Sequence, residues 1–523
     1  MTIRPLTSDP SRMKRFFILF ATFAIALISQ ANADDRPNVI FILVDDMGWS
    51  DLGCYGSEID TPNIDQLAQD GIRFTQMYNT AKCFPSRACL LTGVYAQQSG
   101  MDESHGEMRN SVTLGEILGD VGYRTLASGK HHGTENLFDR GFDHYYGLRD
   151  GCCNFWNPGF QRPGEPEPGH KRVRYWCIDE KTYYPYTPED PNFYATDAFT
   201  DSALEWFDEP ETKAKPFILY LSYNAPHYPL HAWPEDIAKY KGVYDKGYQA
   251  IQETRYQRQV EMGLIDPKKN PLIGKPQARD WETLSKAEKE TESTRMEIYA
   301  AMLDRVDQNI GKILEKLRQQ GRLENTLIFF ASDNGACAED TGAKVVSMAA
   351  EDAGKVASFD TVGEDWAIIQ NTPFRYYKNY SHEGGICTPF IAYWPKGLRN
   401  PGSYNREPAH FIDIMATVVD IGKASYPKRH HGIDIAPMEG VSLVPALEGK
   451  PLNRGKPLFW QWKQGAAVRD GNFKAVRWGD DWELYDISKD RNESHNLASK
   501  EPERLANLAK QWNDWYASAK LND

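Results

Sequence analysis

No apolar run in this 523-residue sequence reaches the roughly 20 residues that a helix needs to cross a bilayer. The longest, Phe16 to Ile28, follows Arg12, Lys14 and Arg15 and precedes the small residues Ala31-Asn32-Ala33. Basic, apolar and small segments in that order make residues 1–33 a cleavable secretory signal, with Met13 as an alternative start. The mature chain is therefore expected to be exported, periplasmic or secreted, with no stable membrane insertion. A surplus of positive charge is also missing. The net charge is −13, and removing residues 1–33, with Arg4, Arg12, Lys14, Arg15 and Asp9, leaves −16. So acidic a chain excludes nucleic acid as a partner, because a phosphate backbone is held by clustered Lys and Arg. An anionic substrate must meet a local positive site. No internal repeat is present, and at this length one large α/β domain with a smaller appendage is expected. Eight cysteines in an exported chain lead to an expectation of disulfides.

What is present is a set of reactive residue types at the ends of predicted strands and helices. The run Cys83-Phe84-Pro85-Ser86-Arg87-Ala88-Cys89-Leu90-Leu91-Thr92-Gly93 predicts a helix with Pro85 in its first turn and Gly93 as its stop. Cys83 falls just before that helix, beside its unpaired N–H groups, where a thiol pKa can be lowered or an anion held. Arg87, one turn on, can point back at the same spot. By itself Cys83 could equally be a half-cystine.

Asn38 to Val44 is a nearly continuous apolar run, as in a parallel strand covered on both faces, and it ends in Asp45-Asp46. Thr326 to Ser332 is a second such strand, ending in Asp333-Asn334. Ligands of open α/β sheets gather at the carboxyl ends of strands, and adjacent carboxylates there repel unless they face a cation. Side by side, the two ends would make an all-oxygen site for a hard divalent ion. Phe217 to Tyr223 predicts another buried strand, followed by Ala225-Pro226-His227. Gly129-Lys130-His131-His132-Gly133 follows the strand at Gly122–Ser128, and Lys378 stands just before Glu383-Gly384-Gly385. Each of these, taken singly, could be an ordinary loop residue.

In this order the segments resemble the type I sulfatases, whose signature Cys-x-Pro-Ser-Arg continues with Leu-Leu-Thr-Gly, and the resemblance extends from Asn38 to about Leu497. It implies an alkaline phosphatase-like α/β fold, a large mixed and mostly parallel sheet flanked by helices, with a small C-terminal antiparallel sheet and helix. It also implies that a formylglycine-generating enzyme oxidises Cys83 to an aldehyde whose hydrate is the nucleophile. Asp45, Asp46, Cys83, Asp333 and Asn334 would then hold Ca²⁺, with Mg²⁺ as the alternative. Arg87 and the metal would stabilise the attacking oxygen, with Asp333 as proton acceptor. Lys130, His227 and Lys378 would meet the sulfate, His227 or Lys378 would protonate the departing alcohol, and His132 would release the sulfate. Two departures stand out. The family's Gly-Lys-Trp-His-Leu-Gly is here shortened, with His131 in place of Trp, which leaves open whether His131 or His132 is the working imidazole. Cys387 stands where a basic residue is common.

The implied substrate is a sulfated small molecule or glycan, an aryl or carbohydrate sulfate. A phosphonate monoester or phosphodiester hydrolase on the same fold is a second reading, and a non-catalytic sulfated-glycan binding protein a third. The expected domains are residues 34–455 for catalysis and 456–523 for the C-terminal subdomain. Residues 150–192, rich in Pro, Gly, Tyr and Trp, are expected to be a surface excursion without helix or strand, whose Trp156, Trp176, Tyr183 and Tyr184 could stack on sugar or aryl rings. Lys239 to Glu292 has few apolar anchors and is expected to be an exposed insertion.

Overall fold

The computed structural model describes residues 35–169, 173–272, 278–339 and 352–520. The expected signal segment, residues 1–33, lies outside them. Asn38–Val44 (β1) is buried along its whole length, and its β-branched and aromatic side chains suit a strand packed on both faces. The other strands of its sheet are β2 (Ile72–Tyr78), β3 (Arg124–Gly129), β4 (His144–Leu148), β5 (Trp176–Ile178), β6 (Lys181–Tyr183), β7 (Phe217–Ser222), β8 (Thr326–Ser332), β9 (Cys387–Tyr393), β10 (Ser403–Asn405) and β11 (Ala409–His410). Their order is β10-β2-β9-β8-β1-β7-β3-β4-β5-β6, with β11 against β2.

Strand direction decides where the chemistry can gather. β1 runs parallel to both β7 and β8, and β3 parallel to β7. β9 is antiparallel to β8 and to β2, so β2 runs with β8. The carboxyl ends of β2, β8, β1, β7 and β3 and the amino end of β9 therefore share one edge of the sheet. Asp45, Asp46, Cys83, Lys130, His227, Asp333, Asn334 and Lys378 all follow or precede those ends. No described helix is long and apolar enough to cross a membrane.

Four strands, Leu458–Trp462, Gly465–Asp470, Phe473–Trp478 and Trp482–Asp486, pair antiparallel in sequence order. The helix Pro502–Ala519 packs on them through Leu508 and Trp512. This small sheet reaches under the main one. Lys474, wholly buried, bonds Glu383 at 3.0 Å and Glu493 at 2.8 Å, and the Glu383 backbone N–H donates to the Glu493 carboxylate. Arg491 lies 3.2 Å from Glu383 and 3.3 Å from the Cys387 sulfur, bringing a guanidinium to the position where Cys387 lacks one.

Three expectations are corrected. Lys239 to Glu292 is not an exposed insertion. It contains the helix Gly247–Glu261 and the start of the long helix Lys286–Gln319, and Tyr244, Tyr248 and Trp281 are buried. The anchor that an apolar periodicity could not reveal is Arg255, wholly buried and bonded to Asp51 at 2.6 Å and Glu58 at 2.7 Å. Arg255→Ala would leave the buried Asp51 and the partly buried Glu58 without their counter-charge and is expected to destabilise the protein by about 3–5 kcal/mol, read from denaturant unfolding.

The aromatic excursion is not devoid of strands, since it supplies β5 and β6. Trp176 is fully buried between Tyr186 and Phe199, and Trp156 packs on Trp233 and Tyr194; Trp176 is therefore core, closed to any sugar. Tyr184 is the open one, 57 % exposed. The disulfide expectation also fails. All eight cysteines are free thiols, because elements such as the Cys83–Thr92 helix, β5 and β9 each bury their own sulfur separately.

Candidate active site

The turn after β2 is pinned from both sides. The Asn79 amide donates to the Ser332 carbonyl at 2.9 Å and to the Thr388 hydroxyl at 2.8 Å, and the Thr80 N–H donates to the Ser86 hydroxyl at 2.9 Å. The next helix, Cys83–Thr92, is buried at every residue. It ends at Gly93, whose left-handed backbone (φ 73°) lets its N–H reach the Cys89 carbonyl. Cys83 is the first residue of the helix rather than the one before it, with Lys82 as the cap.

The Cys83 sulfur lies 3.2 Å from His132 Nδ1. Burial pushes this thiol up by more than Lys130, Lys378 and Lys82 pull it down. Of the two uses of a helix start, lowering a thiol pKa or holding an anion, the first does not operate on the unmodified thiol, because desolvation outweighs the positive surroundings. Between the two histidines the geometry is unequal. His131 turns away, its ring against Gly133 and 3.8 Å from Glu135, and burial drives it down to about 3. His132 adopts a left-handed backbone (φ 64°), as does Asp46 (φ 67°). A Cβ on Gly151 would stand 2.6 Å from His132 Nε2. Gly151→Ala is accordingly expected to displace the imidazole and lower kcat about tenfold or more, while the melting temperature stays near that of the parent.

Around residue 83 the charges interlock. Lys130 is in close contact with Asp45, and Lys378 lies 2.9 Å from Asp46; all four are buried. His227 donates from Nδ1 to the Tyr228 carbonyl at 2.6 Å, which turns Nε2 to Asp46 at 3.4 Å. Burial takes His227 down to about 3, against the pull of Asp46 and with help from Lys378 and Lys130. Arg87 does not aim at Cys83 alone. Its fork grips Asp333 at 2.7 and 2.9 Å, donates to the Lys130 carbonyl and passes 3.6 Å from Asp45. Asn334 Nδ2 donates to Asp46 at 2.6 Å.

The carboxylates respond in opposite directions. Burial would raise Asp46, but the ammonium groups of Lys378 and Lys130 and the Asn334 amide hold it well below the usual range. Burial and then the charge of Asp45 push Asp333 up to about 6. Three carboxylates therefore crowd one point, each facing one buried cation. Oxygens of Asp45 and Asp333 lie within 4.8 Å of each other and of the Cys83 sulfur, and Asp45, Asp46 and His227 form a second such group. Asp45 Oδ1 and Asn334 Oδ1 are buried without a hydrogen-bond partner. Unpartnered buried oxygens among carboxylates fit a hard dication.

Sequence reasoning missed Glu339, which lies just past Asp333-Asn334-Gly335. It pairs with Lys82 and stands 3.7 Å from Lys378, and no spacing rule marks it. It also missed Ser222, which takes a close hydrogen bond from Arg87.

A family model described as Sulfatase matches residues 37–424. An uncharacterized sulfatase of Schizosaccharomyces pombe is 31% identical over 522 residues, covering 91% of this chain and 93% of its own. An arylsulfatase of Klebsiella aerogenes is 32% identical over 452 residues, covering 82% of this chain and 95% of its own. Among solved structures, that of Ps i-CgsB superposes with a TM-score of 0.68 at 26% identity, over 93% of this chain and 94% of the other; its complex with k-i-k-neocarrahexaose gives 0.67 at 25%. On these matches the chain belongs to the type I sulfatase family, of the alkaline phosphatase-like superfamily, and is a sulfuric ester hydrolase.

Proposed function

We propose that the protein is exported and removes sulfate from a carbohydrate, with simple aryl sulfates as accessory substrates. Residue 83 serves as nucleophile after a formylglycine-generating enzyme has oxidised Cys83. The observation that carries this reading is the ring of buried cations and imidazoles around residue 83, with His132 Nδ1 at 3.2 Å from its side-chain tip. A sugar substrate is supported by the carrahexaose complex of Ps i-CgsB, and export by the order of charge and hydropathy in residues 1–33.

Asp45, Asp46, Asp333, Asn334 and the residue-83 side chain would hold Ca²⁺, or Mg²⁺ in its place. When bound, the dication supplies positive charge against the attacking oxygen and the sulfate. Arg87 orients Asp333 and Asp45 and adds its own charge behind them. Lys130 and Lys378 meet the sulfate oxygens with ammonium groups. Lys378, held charged by Asp46 despite its burial, gives its proton to the departing alcohol. His227, neutral with its proton on Nδ1, presents Nε2 as an acceptor instead. His132 holds the proton on the residue-83 side chain and takes it when sulfate leaves. The test compares kcat/KM for 4-nitrophenyl sulfate and for a phenylphosphonate monoester. The sulfate is expected to react faster by about 100-fold or more; a preference for the phosphonate would give the site to the second reading.

A further inference from the structure

In a chain of net charge −13, many buried or half-buried arginines face a carboxylate, but Arg174 does not. Among the described residues no carboxylate lies within ion-pair distance of its half-buried guanidinium. Nη2 donates to the Cys152 sulfur at 3.3 Å, and Nε is buried with no partner. A thiol is a weak acceptor, so among the described residues this guanidinium has no strong partner.

Its position is tied to the reaction centre through a single loop. Gly151 packs against His132 Nε2, and His132 Nδ1 is on residue 83. Cys152, the next residue, is partly open and lies within the fields of Lys130 and Lys378. Arg174 thus stands one loop away from the nucleophile. The residue after it continues outward as a platform. Tyr175 carries the Arg149 guanidinium on its ring at 3.9 Å and stacks on Tyr184 at 4.2 Å, and Tyr184 is 57 % exposed. An open aromatic ring, reached through the residue that follows a guanidinium with no described carboxylate partner, suits a sugar ring with an anionic substituent.

We propose that Arg174 is a specificity residue that binds a second anionic group, a carboxylate or a second sulfate, on the glycan whose first sulfate is cleaved at residue 83. This rests on the sulfatase reading and deepens it from a sulfated sugar to a dianionic one. A planar guanidinium meets either oxyanion with two parallel hydrogen bonds.

The experiment uses the full-length, converted enzyme with 4-nitrophenyl sulfate as reporter. Three matched disaccharides compete, each with one sulfate and differing only in a neutral, carboxylate or sulfate group on the second sugar. Wild type is expected to bind the doubly anionic sugars about ten- to hundredfold more tightly than the neutral one. Arg174→Ala and Arg174→Gln should erase that difference, and Arg174→Lys should retain part of it. Whichever anionic sugar is preferred identifies the group. Equal inhibition by all three sugars in wild type overturns the proposal, as does a preference that survives in Arg174→Ala. Failure of converted wild type to cleave the reporter would instead sink the sulfatase reading, and this proposal with it.

Discussion

Produced together with a formylglycine-generating enzyme, the peptide containing residue 83 should carry oxygen in place of sulfur, as an aldehyde or its hydrate, and activity should follow the converted fraction. The reason lies in the pocket. The Cys83 thiol is buried, and its pKa is raised despite three nearby ammonium groups, so the unmodified residue offers almost no thiolate at neutral pH. Cys83→Ala should lose about 10⁴-fold or more in kcat. Cys83→Ser is the more instructive variant. It retains a hydroxyl near His132 but lacks the second hydroxyl of an aldehyde hydrate, and so the sulfate it accepts has no elimination route. A single burst of product followed by arrest is expected. A thiol that persists after co-production, with saturable binding of sulfated sugar and no product, would sink the mechanism and bring forward the binding-protein reading.

The second large effect concerns the cation. Chelation should abolish turnover, by about 10³-fold, and lower the melting temperature by about 3 °C relative to enzyme holding ion at a hundredfold excess over Kd. Ca²⁺ and Mg²⁺ titrated back separately decide which ion the protein prefers. Asp46→Asn discriminates further. It removes the charge that faces Lys378 at 2.9 Å and His227 at 3.4 Å, leaving Lys378 without its nearest buried counter-charge. Activity should fall by about 10²–10³ and the rise in melting temperature on adding metal should shrink. Undiminished turnover after exhaustive chelation, with no ion found by elemental analysis, would refute the metal assignment.

What the sequence revealed and what it concealed differ for physical reasons. β1 and β8 were legible because strands buried on both faces must be continuously apolar, and acidic residues at their ends then stand out. Their adjacency, which brings Asp45 and Asp333 together, depends on parallel order and needed the resemblance to be foreseen. The segment around Arg255 was misjudged because its core side is made of one arginine and several aromatics, a pattern that hydropathy scores as surface. Trp176 shows the converse: residue type suggests a sugar platform, but only packing tells an enclosed indole from an open ring such as Tyr184. The direction of the Cys83 shift was left open because helix position is a local cue, whereas desolvation depends on strands far away in sequence. That His132 rather than His131 faces residue 83 depends on backbone direction at a left-handed residue, which no spacing encodes.

The order of strands also sets a clock. Residue 83 is enclosed partly by later segments of the chain: Asn79 is held by Ser332 and Thr388, and Lys130, His227, Asp333 and Lys378 lie downstream. On a ribosome adding about 5–20 residues per second, β8 emerges roughly 12–50 s after Cys83. During that interval the thiol is an accessible feature of an unfinished chain. Any enzyme that must modify it works within this delay, and a change that speeds closure of the sheet would reduce the fraction of molecules that ever become active.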